Sequence, residues 1–168
     1  NPRIHYRELE YSAEYIFTKI LEPWHMDIPV QCCIQTFWSG LQLKAEIYPE
    51  TIHVLQELKE KGYTIATLTD LPSAMPDDIF RRDISELLDY IDYYVSSSVA
   101  GYRKPNCKGL QMISEKFSIP ITKLIFVGDE EKDRRTAMNA NCKFIWVRRT
   151  EKNKESIDNL YQLWKVLE

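Results

Sequence analysis

Ten residues, LIFVGDEEKD at positions 124–133, constrain this chain more than any other stretch. Leu124, Ile125, Phe126 and Val127 run unbroken into Gly128, and four of the next five side chains are carboxylates. Such an apolar run reads as a strand buried on both faces of a parallel sheet. Gly128 marks a turn, and the apolar pattern that resumes at Ala137 and Met138 predicts a helix. Asp129, Glu130 and Asp133 then fall where strand passes to helix, at the carboxyl edge of the sheet. Open α/β sheets bind their ligands at that edge. Acids at such a junction also cap the helix and complement its dipole, each contributing a few tenths to ~1 kcal/mol. The rest of the chain decides between the two roles.

The first part of the chain is helical in pattern. Residues 6–21 carry Leu9, Ala13, Ile16, Phe17 and Ile20 on one stripe, and Pro23 closes that helix. A second helix over about 28–43 has Val30, Cys33, Ile34, Phe37, Trp38 and Leu41 on its buried side. Trp24, Phe37 and Trp38 read as the core of this unit, and nothing before Ile47 reads as a strand.

From Tyr48 onward the pattern changes. Pro49 stands at a helix start, Ile52, Leu55 and Leu58 form its stripe, and Gly62 ends it. A strand over 63–69 follows, then a mainly helical stretch over 74–88 interrupted at Pro76. Tyr93, Tyr94 and Val95 make a short strand, and Ser96, Ser97 and Ser98 read as loop formers. A helix over 107–117, the strand at 124–127, a helix through 136–141 and a strand at 144–147 come next. A last amphipathic helix carries Ile157, Leu160, Trp164 and Leu167. Strands alternating with helices predict an α/β fold with a Rossmann-like parallel sheet. The expected organisation is a helical unit over 1–46 and an α/β core over 47–168.

A chain of 168 residues fits one domain with a real core. Its net charge of -3 and lack of a basic block argue against nucleic acid as partner. No apolar run approaches the ~20 residues of a membrane span. Cys32, Cys33, Cys107 and Cys142 form no CxxC pair, which leaves a zinc or redox motif unsupported and fits reduced thiols in the cytoplasm. His5, His25 and His53 are too scattered for a catalytic triad or a zinc site, and His53 falls on the exposed side of its helix.

Three polar features lie just past successive strand ends: Thr69 with Asp70, then Lys104, then Asp129 with Asp133. Strand ends on one edge of a parallel sheet converge, which brings a hydroxyl, an ammonium and a carboxylate pair into one cleft. Such a set suits a phosphate held with a divalent cation, because lysine neutralises phosphoryl oxygens and aspartates offer hard oxygen ligands. Singly, Thr69 is also an ordinary β-branched strand residue and Lys104 an ordinary loop lysine. Pro105 biases Lys104 toward extended geometry.

The order TLTD, GYRKP, VGDEEKDRRTAMNANC resembles the second, third and fourth motifs of the haloacid dehalogenase superfamily, and YPETIHVLQELKEKGYTIATLTD resembles the helix and strand before them. The resemblance covers about residues 48–147. It implies that Thr69, Asp70 and Lys104 bind substrate phosphate, with Thr69 and Lys104 catalytic, and that Asp129 and Asp133 hold Mg2+. It further implies that residues 1–46 are similar to the helical cap of that superfamily. One motif is missing: no DxD, the source of the nucleophilic aspartate on the central strand, occurs in the sequence. The chain starts at Asn1, and the simplest expectation is that the nucleophile strand lies upstream of it. The implied activity is magnesium-dependent hydrolysis of a small phosphorylated metabolite through an aspartyl-phosphate, with this chain alone inactive. The alternatives are a catalytically dead binding or scaffold protein of the same fold and a 2-haloacid dehalogenase. A mutase and a receiver-like α/β protein rank below them.

Overall fold

The computed structural model describes residues 6–25, 27–41, 43–149 and 156–167. His5 lies outside these residues.

Two helices open the described chain. In α1 (Ala13–Leu21) the Ser12 side chain accepts a hydrogen bond from the Tyr15 N–H at 3.1 Å, which satisfies one of the free donors of the first turn. The helix expected from Tyr6 therefore starts later. Residues 6–12 find backbone partners in the loop around Tyr102 instead. Leu9 forms an isolated antiparallel bridge with Tyr102, Glu10 N–H donates to Gly101 O at 3.0 Å, and Arg103 N–H donates to Glu8 O at 2.8 Å. Pro23 falls in a 3-10 turn that follows α1.

Helix α2 (Val30–Leu41) packs on α1, and Ala13, Phe17, Ile34 and Trp38 bury against Ala74 and Met75. The Trp38 indole N–H donates to Ala74 O at 2.7 Å, pinning the helical pair to the α/β part. The buried stripe is narrower than the sequence pattern suggests. Ile20, Trp24, Phe37 and Leu41 stand exposed, because only one side of the pair meets the rest of the protein.

Helix α3 (Thr51–Glu60) ends at Gly62, whose φ of 81° lies in the left-handed region open to glycine. Val54 is its fully buried residue, inside the stripe read from Ile52, Leu55 and Leu58, and His53 is exposed. Strand β1 (Ala66–Thr69) begins three residues after the predicted Tyr63, which stays exposed. Helices α4 (Asp77–Asp83) and α5 (Ser85–Leu88) follow Pro76, and β2 (Tyr93–Ser96) runs directly into α6 (Ser97–Ala100). The serines do more than form a loop. Ser96 Oγ accepts from Val99 N–H to cap α6, and Ser97 Oγ accepts from Leu71 N–H at 3.0 Å, both residues fully buried.

Helix α7 (Lys108–Phe117), strand β3 (Ile125–Gly128), helix α8 (Glu131–Ala140) and strand β4 (Lys143–Val147) follow in turn. Ile157, expected in a last helix, instead lies in β5 (Ser156–Ile157), which pairs with β4. The chain then passes through a 3-10 turn to α9 (Trp164–Leu167).

Every ladder among the described residues is parallel. β1 pairs with β2, from Ala66 opposite Tyr93 to Thr69 opposite Ser96, and β3–β4–β5 form a second sheet. Among the described residues no ladder joins β1 to β3. The two sheets share an apolar cluster in which Val95, Leu110, Ile113 and Ala140 gather Leu68 of β1 and Phe126 of β3. Gly109 of α7 lets the helix backbone lie against Leu68, a place where any side chain would collide. The expectation that 124–127 is buried on both faces fails at Ile125, which is 40% exposed, and the remainder of β3 is only half-buried. A strand bordering its sheet lacks cover from a neighbour on its outer edge.

Candidate active site at the carboxyl edge of the sheets

The carboxyl ends of β1 and β3 are bridged by side chains. Lys104, in the loop after α6, sends its Nζ to within 2.6 Å of Asp133 Oδ1, and the two side chains are 9% and 4% exposed. That ammonium also donates to Leu68 O at 3.4 Å and lies 6.0 Å from the Phe126 ring centre. It thus touches both strands. Asp133 is in turn held by α8, since its Oδ2 accepts from Asp129 N–H at 3.1 Å and Glu130 N–H at 2.9 Å. Its side chain and that of Glu130 complete a capping box at the start of the helix. Asp133 Oδ1 makes no hydrogen bond of ordinary geometry, so the Lys104 contact is a charge contact off the hydrogen-bond line.

Gly128 is what allows this arrangement. A Cβ there would sit 2.6 Å from Asp133 Oδ2 and 2.6 Å from Asp133 Cβ. Glycine is required here by the close approach of a side chain, since Gly128 is not among the positive-φ residues.

Asp70 lies directly past β1, and its Oδ1 accepts from Lys104 N–H at 3.0 Å. Its Oδ2 faces Lys132 Nζ at 3.1 Å, and the same ammonium meets Glu130 at 2.9 Å. Burial pushes the Lys132 ammonium down, but its hydrogen bond to Glu130 and the charge of Asp70 outweigh that and raise its pKa above the ordinary lysine value. Thr69 ends β1 half-buried, and Asp129 is exposed at the mouth of the cluster.

Asp70, Lys104 and Asp133 are thus brought into direct contact, with Thr69 and Asp129 at the flanking chain positions. Lys132 was missed in the sequence although it stands inside the acidic motif. Nothing in one dimension shows that it reaches Asp70. Arg103 was also missed. It is buried beside Lys104, pairs with buried Glu10 and donates to Leu71 O at 2.8 Å.

The cluster sets four carboxylates, Asp70, Asp129, Glu130 and Asp133, against two ammoniums, Lys104 and Lys132. The excess of negative charge and the hard oxygen donors suit a divalent cation. Among the described residues no three His, Cys, Asp or Glu side chains converge as a complete metal site. Asp129 and Asp133, whose Oδ1 makes no hydrogen bond, are the oxygen donors here that could enter the shell of such a cation.

A cleft of about 240 Å³ lies alongside, between residues 10–14 and the loop 71–78, with Glu10, Ser12, Glu14, Asp77 and Asp78 in its walls. Its lining includes neither Lys104 nor Asp133, so it neighbours the ionic cluster without being part of it. Asp77 there accepts from Tyr94 Oη at 3.0 Å and from Ser96 Oγ. Burial, with the Asp77 charge next, raises the Tyr94 phenol above its ordinary pKa. No helix among the described residues is long and apolar enough to cross a membrane.

Parallel strands alternating with helices, and a charged cluster at their carboxyl ends, define a Rossmann-like α/β protein with an ionic site. A family model described as Haloacid dehalogenase-like hydrolase matches residues 5–147, and the chain belongs to that family. It is 31% identical over 98 residues to a phosphoglycolate phosphatase of Vibrio vulnificus, a match covering 58% of this chain and 42% of that protein. A phosphoglycolate phosphatase of Nitrosospira multiformis is 30% identical over 106 residues, covering 63% and 46%. The matches thus span less than half the length of these relatives. Among solved structures, a 2-haloacid dehalogenase from Pseudomonas syringae superposes with a TM-score of 0.73 at 22% identity, covering 92% of this chain and 69% of that one. A HAD phosphatase from Thermococcus onnurineus gives 0.65 at 21% identity, covering 90% and 70%. These likenesses establish the fold.

Proposed function

We propose that this chain belongs to a magnesium-dependent phosphomonoesterase acting on a small organic phosphate, phosphoglycolate being the first candidate. The observation that carries the reading is the buried Lys104 ammonium at the carboxyl edge, set between β1, β3 and Asp133. Lys104 neutralises the phosphoryl oxygens as charge redistributes in the transition state, and Thr69 donates its hydroxyl to one of them. Asp70 holds the Lys104 backbone N–H and so fixes the direction of the loop. Asp129 and Asp133 would hold magnesium, which when bound supplies further charge stabilisation at the phosphate. The attacking aspartate is assigned to residues outside this sequence, on a strand entering between β1 and β3, and an aspartyl-phosphate forms on it before hydrolysis. Small phosphate esters fit the relatives' names, and the helical pair α1–α2 is read as a cap over the leaving group. The reaction is placed in the cytoplasm.

The test is intact mass of the protein as its gene encodes it, with magnesium-dependent hydrolysis of p-nitrophenyl phosphate and phosphoglycolate. A mass above 19.9 kDa with turnover abolished by Lys104→Ala or Asp129→Asn is the expected result. A full-length protein that binds phosphate without turnover would mean a binding protein of this fold and would overturn the enzymatic reading.

A further inference from the structure

Two segments connect the helical pair to the α/β part, residues 6–12 before α1 and residues 43–50 before α3. Each carries a buried glutamate held by an arginine. Glu50 is 7% exposed and meets Arg149 at 2.6 Å, while the Arg149 guanidinium covers the Tyr48 ring at 3.5 Å. The Glu10 side chain, 7% exposed, meets Arg103, and Arg7 reaches the other Glu10 oxygen at 2.9 Å. The two clamps differ in one respect. Arg149 follows β4 and is anchored away from the ionic cluster, whereas Arg103 is the residue immediately before Lys104.

Arg103 and Lys104 reach into two different parts of the molecule. Arg103 binds Glu10 and donates to Leu71 O at 2.8 Å. Lys104 pairs with Asp133 and donates its backbone N–H to the Asp70 carboxylate. Asp70 and Leu71 are themselves neighbours, so one dipeptide fastens to another at two points. The backbone bridges from Glu8 and Glu10 to residues 101 and 103 tie in the segment before α1 as well. A buried guanidinium making several charge-assisted hydrogen bonds in fixed directions is a rigid brace, which a lysine cannot reproduce in full.

We propose that Arg103 is a positioning residue for Lys104. It joins the segment entering α1, the Asp70–Leu71 turn and the Lys104 loop into one unit, so that the Lys104 ammonium is aimed at Asp133 and at a phosphate bound there. The placement of the helical pair is thereby coupled to the geometry of the phosphate site. This inference rests on the reading of Lys104 as a phosphate-binding group, and its test separates the two.

The experiment uses the full-length protein and compares Arg103→Met, Arg103→Lys, Glu10→Gln and Arg149→Lys. Inorganic phosphate affinity is measured by calorimetry, and amide exchange is followed across the chain. Arg103→Met should weaken phosphate binding about ten- to a hundredfold, the loss expected when charge-assisted hydrogen bonds that orient a group are removed. Arg103→Lys should recover part of this loss, and Glu10→Gln should show an intermediate one. In all three, the amides of Glu10, Leu71 and Arg103, each hydrogen-bonded in the structure, should exchange faster while β4 stays protected. Arg149→Lys should leave phosphate affinity within about twofold even if it lowers thermal stability, since surface-of-site contacts are untouched. Unchanged phosphate affinity in Arg103→Met, or an equal loss in Arg149→Lys, would overturn the proposal. If the unaltered protein binds no phosphate, the functional reading fails first. Exchange then decides alone, and unchanged protection of the Glu10 and Leu71 amides in Arg103→Met sinks the coupling.

Discussion

The Lys104 ammonium lies 2.6 Å from Asp133 Oδ1, and the contact ties the loop after β2 to the first turn of α8. It links two sheets that no ladder joins among the described residues. Burial makes the pair sensitive to the loss of either member, because a lone charge withdrawn from water is costly.

Lys104→Met should therefore lower folding stability by about 3 kcal/mol, the low end for a broken buried pair because Asp133 keeps its two backbone donors. Asp129→Asn changes an exposed side chain and should stay within about 0.5 kcal/mol of the original. Under the proposed function both variants lose at least about a hundredfold in turnover. Urea unfolding beside a phosphatase assay separates the two effects. Equal destabilisation by both would contradict the geometry described for Asp129.

Gly128→Ala should act on Asp133 without altering any charge. The new methyl group would sit 2.6 Å from the carboxylate oxygen, so Asp133 must leave its backbone donors or β3 must shift. Overpacking of this kind costs about 1–3 kcal/mol. A variant as stable as the original, with the Asp129 and Glu130 amide shifts unchanged in NMR spectra, would refute the close approach.

Asp92 offers a test by pH away from the site. The Ile65 N–H, donating to Asp92 Oδ2 at 2.8 Å, and the Lys59 ammonium after it hold this carboxyl below its ordinary value of 3.8. A depressed carboxyl pKa stabilises the fold above the unfolded value, and that contribution is lost as pH falls through the folded one. The stability gap between the original protein and Asp92→Asn should hence be level near neutrality. It should close as the solution is taken below about pH 4. A gap that is constant down to pH 2 would show that the ionised carboxylate contributes nothing.

Trp38→Phe should cost about 1–2 kcal/mol, chiefly by leaving the buried Ala74 carbonyl without its donor. Amides of α1 and α2 should exchange faster than those of β4. Uniform loss of protection through the whole chain would instead mean that the helical pair and the α/β part unfold together.

Most of the α/β alternation was legible because it is written in local pattern: short apolar runs for β1 to β4 and stripes with glycine stops for the helices. The contacts of Asp70, Lys104 and Asp133 followed from one rule of topology, that parallel strand ends share an edge. What was illegible depended on distant partners. Residues 6–12 have a helical stripe, but Gly101 and Arg103 offer their backbone groups and the extended form wins. Ile157 looks like a helix position until β4 supplies an unpaired edge beside it. Lys132 reads as one more charge on a polar turn. Its meeting with Asp70, sixty-two positions earlier by subtraction of their numbers, is visible only in three dimensions. Phe37 and Trp24 have the hydrophobicity of core residues, yet the helical pair turns them away from the rest of the described chain.

Among the described residues the parallel strands form two sheets, with four borders where a single sheet has two. β2 and β5 supply the outer pair and β1 and β3 the inner pair, with Lys104 and Lys132 linking the carboxyl ends of the inner two by charge. Salt screens a pair as buried as Lys104–Asp133 only weakly, and Lys132 is the more exposed of the two ammoniums. Whatever salt dependence the link between the two sheets has should therefore trace to Lys132, while the shared apolar cluster and the Lys104–Asp133 pair keep them together at high ionic strength.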